Sequence, residues 1–90
     1  MAPKHPPIHE LKSLGPRSQE MLARAGILTL QQLRTLGAPR AYWQTKQVDP
    51  RASLNLLWGL QSALTGIPWQ EVARVHRDEL LAELAHIQAG

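Results

Sequence analysis

The chain has 90 residues and no cysteine, so no disulfide framework, thiolate metal site or thiol nucleophile is available to it. Phenylalanine is also absent, and the aromatic complement is three tryptophans and one tyrosine. No stretch approaches the roughly 20 consecutive apolar residues needed to cross a bilayer, and "MAPKHPPIH" at the N-terminus lacks an apolar run of signal-peptide length. These absences predict a cytoplasmic protein with no membrane association. Nothing alternates with period two over a useful length, which argues against a sheet. No P-loop glycine run and no nucleophile elbow occur. A chain of this size buries only roughly 60% of its unfolded surface, so its Leu, Ile, Val, Trp and Met side chains are needed for the core. Little remains to line a substrate cavity, and no enzyme is expected.

Glycine and proline punctuate the rest clearly. Residues 1–7 hold three prolines and no periodicity, and are expected to form an extended or disordered arm ahead of a single helical domain over 8–90. "IHELKSL" predicts a short helix with Ile8, Leu11 and Leu14 inward. Gly15 then turns the chain, and Pro16 suits a first helical position because its missing N–H would be unpaired there anyway. "PRSQEMLARAG" predicts a helix closed by Gly26 in the left-handed C′ position with Ile27 packing back on Leu22. Both Gly15 and Gly26 are expected at positive φ.

In "LTLQQLRTLG", Thr29 and Gln32 have capping-box spacing and Leu28 and Leu33 the spacing of a hydrophobic staple. Gly37 ends that helix, and "APRAYWQTKQ" starts another with Tyr42, Trp43 and Lys46 along one side. Asp49 and Pro50 read as cap and first residue of the next, with Ser53 as a later start. "SLNLLWGLQSALTG" is apolar most of the way round, as a central buried helix must be. "IPWQEV" predicts a tight connection with one helical turn, anchored by Ile67 and Trp69, before an amphipathic last helix in "RVHRDELLAELAHI". The fold expected is all-α, a compact single domain of five or six short helices.

Charge is uneven. Residues 11–51 carry Lys12, Arg17, Arg24, Arg34, Arg40, Lys46 and Arg51 against Glu20 and Asp49, a net of +5, while residues 52–90 are net −2. A field of that sign favours a nucleic-acid backbone, with strong salt dependence. Seven cations over some four helices are also ordinary solvated surface, so charge alone does not choose. Tyr42 and Trp43 are candidates for a protein interface, although aromatics this scarce are needed in the core. His5 and His9 have the spacing of helical metal ligands, but two prolines lie between and no third ligand follows, so no metal is assigned. The carboxylates of the last helix read as a solvated outer face, and no cofactor site is apparent.

"LKSLGPRSQEMLARAGILTLQQL" resembles a helix-hairpin-helix motif, which implies a hairpin whose amides hold a DNA phosphate at a helix N-terminus. That resemblance assigns phosphate contact to Lys12, Ser13, Gly15, Arg17, Ser18 and Arg24. The motif's hairpin reads Gly-x-Gly, whereas this chain has Ser13 at the first glycine, and Pro16 supplies no N–H. A closer resemblance runs from about Leu11 to Leu84. The blocks "LGPRSQEMLARAGILTLQQLRTLGA", "AYW", "SLNLLWGLQSALTG", "WQEV" and "ELLAEL" are similar to the C-terminal domain of the TfoX/Sxy family. This implies a helix-hairpin-helix-like domain found in regulators of competence for DNA uptake, with no catalytic residues to carry over. The expected function is a non-catalytic interaction module that binds a macromolecule. A direct, sequence-independent DNA binder and a homo-oligomeric structural module, such as a homodimer, are the alternatives.

Overall fold

A computed structural model describes residues 14–89, and the helix expected in "IHELKSL" lies outside them except for Leu14. The described residues form an all-α fold: α1 (Pro16–Arg24), α2 (Leu30–Leu36), α3 (Ala38–Val48), α4 (Leu54–Thr65), α5 (Trp69–Glu71), a π-helical stretch (Val72–His76) and α6 (Arg77–Ala89). No helix among the described residues is long and apolar enough to cross a membrane.

α1 starts where the proline predicts, but Gly15 does not turn at positive φ. It is the N-cap, with φ −74° and ψ 172°. A residue preceding proline is pushed into the extended region by the proline Cδ, so the corner is made by ordinary extended backbone. Gly26 behaves as expected, with φ +83°. The Ile27 N–H donates to the Leu22 carbonyl at 2.9 Å and the Gly26 N–H to that of Ala23 at 3.0 Å, which closes α1 in a Schellman motif. Gly26→Val is therefore expected to cost about 1 kcal/mol or more in urea unfolding, because a β-branched residue is forced left-handed. Gly15→Val should lie within about 0.5 kcal/mol of the parent, since an exposed position with permitted φ has no strain mechanism. Equal losses at the two sites would refute this account of the turns.

The capping box forms. Thr29 Oγ1 accepts from the Gln32 N–H at 3.2 Å, and Gln32 Oε1 accepts from the N–H groups of Leu28 and Thr29. The staple does not bury its outer member: Leu33 is fully buried, but Leu28 is 55% exposed. Gly37, at φ +81°, both ends α2 and begins α3.

Leu57 and Leu60 of α4 are completely buried, and α4 packs against α2, α3, α5 and the π stretch, so it is the central helix. It begins after Ser53 rather than at Pro50. Asp49 does not cap it. That carboxylate instead accepts from the backbone and side chain of Arg51, which folds residues 49–52 into a turn.

The second half differs from expectation in its connection. "VARVHR" contains no glycine or proline to stop a helix, and the chain runs helically from Trp69 to Ala89. At 3.6 residues per turn, Val72 and Leu80 would point roughly 80° apart. The wider π turn takes up that difference, and both are buried together with Leu84. Trp69 is not an anchor: it is 43% exposed, while Ile67 is partly buried against the core.

Candidate functional site

The first turn of α1 is the start of the hairpin reading. Lys12 and Ser13 lie outside the described residues. Gly15 caps α1 without a side-chain hydrogen bond, and no carboxylate stands in the first turn. Pro16 has no N–H to give, and the first intrahelical bond is from the Gln19 N–H to the Gly15 carbonyl, so the amides of Gly15, Arg17 and Ser18 are what this terminus can offer. Arg17 is exposed and makes no ion pair among the described residues; Ser18 is half-buried.

Arg24 is placed differently. Its guanidinium lies 3.6 Å from Glu20 and 3.7 Å from Asp49, whose carboxylate also takes two 3.0 Å hydrogen bonds from Arg51. Asp49 is thus a buried anion tying the end of α1 to the α3–α4 turn. The Arg51 side-chain bonds foremost, then its backbone N–H and the charges of Arg51 and Arg24, hold the Asp49 pKa down to about 2 against the opposing effect of burial. Arg51 is raised in turn, chiefly by its hydrogen bond to Asp49.

Because the folded pKa lies below the ordinary 3.8, this contribution is complete above that pH and is lost as pH falls through about 2. Asp49→Asn should lower the melting temperature near neutrality and flatten its decline between pH 4 and pH 2. A parallel decline in the two proteins would exclude Asp49 as a source of acid lability.

Tyr42 is core rather than surface. It is 4% exposed, and its hydroxyl donates to the Ala52 carbonyl at 3.5 Å. The reason is register: Tyr42 shares the inward stripe of α3 with Ala38, Ala41 and Thr45. Trp43 is partly buried against the same core, and so is not a freely projecting anchor. Lys46, whose ammonium sits 6.0 Å above the Tyr42 ring, donates to the Ala52 carbonyl at 3.0 Å. His5 and His9 lie outside the described residues, among which no three or more His, Cys, Asp or Glu side chains gather closely enough to hold a metal.

Two surface features escaped the sequence reading. Four large apolar side chains, Leu28, Val48, Trp69 and Val75, stand about half in solvent. A groove of about 330 Å³ is lined by Gly26, Ile27, Gln31, Gln32, Thr35, Leu36 and Gln44. It depends on Gln44 reaching back to donate to the Ala25 carbonyl at 2.8 Å, a contact across nineteen residues that no local pattern encodes.

Neither a curated protein nor a solved structure matches the chain significantly. Residues 4–84 match the family described as the TfoX C-terminal domain. A match over that share of the sequence, on a helical fold of the kind the resemblance implied, means that the chain belongs to the TfoX C-terminal domain family.

Proposed function

We propose that this protein is a non-catalytic helical module that binds another protein in the cytoplasm, within the regulation of competence or a related transcriptional programme. The observation carrying the reading is that Leu28, Val48, Trp69 and Val75 stand about half in solvent, while every other large apolar side chain among the described residues is buried or partly buried. Side chains of that kind, left in water by the monomer, are what a partner removes from water on binding. The test is affinity capture of the tagged chain followed by mass spectrometry, with and without nuclease. A partner retained after nuclease treatment is the expected result, and capture abolished by nuclease would sink the protein-binding reading.

Direct DNA binding is kept as a second reading by one observation, Arg17 standing without an ion-pair partner among the described residues beside the start of α1, which has no side-chain cap. Against it, three of the six described cations of residues 11–51 are already committed within the fold. Arg24 and Arg51 face Asp49, and Lys46 donates to a backbone carbonyl, leaving Arg17, Arg34 and Arg40 without ion-pair partners among the described residues. These three free cations neutralise few phosphates, and their contribution to a log–log salt slope should be about −3. Fluorescence anisotropy of labelled duplex at two salt concentrations, for the parent and Arg17→Glu, is expected to show weak or absent binding. Tight binding at physiological salt that Arg17→Glu abolishes would promote the DNA reading over the protein one.

A further inference from the structure

The groove between α2 and α3 has an aliphatic floor and a carboxamide rim. Ile27 and Leu36 supply the apolar surface, Gln31 and Thr35 stand on the α2 side, and Gln44 stands on the α3 side. The rim is only partly engaged. Gln44 uses its Nε2 on the Ala25 carbonyl and keeps its Oε1, Gln32 uses its Oε1 on the cap and keeps its Nε2, and the Gln31 side chain has no partner among the described residues. Free carboxamide donors and acceptors above an aliphatic floor are suited to the main chain of a peptide whose side chain fills the floor.

The flanks extend the same chemistry. Leu28, next in sequence to Ile27, is more than half exposed, and Val48 lies one helical turn beyond Gln44 on α3. Arg40, one turn before Gln44, is exposed and unpaired among the described residues. No carboxylate lines the groove, and the two acids of residues 11–51, Glu20 and Asp49, are held by Arg24 and Arg51.

We propose, resting on the protein-binding reading above, that this groove docks an acidic peptide segment of another protein, with an aliphatic side chain on the Ile27–Leu36 floor and a carboxylate against Arg40. Charge selects this occupant. Residues 1–13 of the chain itself carry Lys4 and Lys12 against Glu10, the wrong sign for the site. A second copy offers Asp78, Glu79 and Glu83 on α6, where Leu80 and Leu84 are buried in its own core and Leu81 and Ile87 are partly buried, and its exposed Trp69 and Val75 flank Glu71, which is already paired with Arg74 at 3.0 Å. A nucleic acid would find an aliphatic floor, neutral amides and one free cation.

The test is a titration of the ¹⁵N-labelled full chain with a short acetylated peptide of leucine, glutamate and aspartate. Controls are the same peptide with lysine at the acidic positions, a DNA duplex, and dilution of the chain alone. The acidic peptide should move the amide signals of Gly26, Ile27, Gln31, Thr35 and Gln44 to saturation, and Arg40→Glu or Leu28→Ser should weaken it about five- to tenfold, the loss of about 1–1.4 kcal/mol. Both positions are exposed, so the variants keep the parent spectrum elsewhere. Failure of those amides to move with the acidic peptide, a larger response to the lysine peptide or the duplex, or movement on dilution alone would each overturn the proposal. If the captured natural partner binds Arg40→Glu and Leu28→Ser as well as the parent, the groove assignment falls while the protein-binding reading stands. If the parent captures no protein at all, the reading itself falls.

Discussion

Leu57→Ala and Leu60→Ala are each expected to destabilise the fold by about 2–5 kcal/mol, because deleting a buried leucine loses its transfer energy and leaves a cavity the neighbours only partly fill. Both side chains are completely inaccessible, and α4 touches most of the other helices, so collapse around a void would have to move several elements at once. Domains of this size are stable by only about 5–15 kcal/mol in total, and the loss shifts the melting temperature by about 4–8 °C for each kcal/mol. Urea unfolding gives the number directly. A loss below about 0.5 kcal/mol, the range of ordinary surface substitutions, would mean that α4 is peripheral.

Tyr42→Ala should be at least as damaging, at about 3–5 kcal/mol, on the scale measured for buried aromatic side chains. The comparison that locates the energy is Tyr42→Phe. The hydroxyl reaches the Ala52 carbonyl only at 3.5 Å, the limit of a hydrogen bond, and the same carbonyl already accepts from Lys46 at 3.0 Å. Removing the hydroxyl alone should thus cost under about 1 kcal/mol. A phenylalanine variant as unstable as the alanine variant would transfer the effect from ring packing to the hydroxyl. An alanine variant as stable as the parent would return Tyr42 to the surface role that sequence alone allowed it.

The contrast between Tyr42 and Leu28 shows what was legible in the sequence. Local signals with short reach are legible: the Thr29–Gln32 capping box, the Gly26 terminus and the proline start of α1 each depend on residues within one turn. Differences arise where a second interaction outweighs the local pattern, whether from the adjacent residue or from one distant in sequence. Gly15 was misjudged because proline's effect on the preceding residue overrides the freedom of glycine. Asp49 looked like a cap for α4 until Arg51 and Arg24 claimed its carboxylate. Leu28 fits a staple by spacing yet projects into solvent, and Trp69 does the same. The π stretch has no compositional mark at all, because it records the need of Val72 and Leu80 to face one core. The groove is the least legible feature, since its walls meet only once α3 has folded back beside the α1–α2 turn.

Gly37 carries a consequence for that groove. With one residue serving as the end of α2 and the start of α3, the angle between the two walls rests on a single pair of backbone dihedrals, φ +81° and ψ 156°. There is no connecting loop to order, and the walls are held together by the packing of α2 on α3 and by the Gln44–Ala25 hydrogen bond. A ligand entering between them would meet a site already in its bound shape, so little of its binding energy would be consumed in organising the receptor.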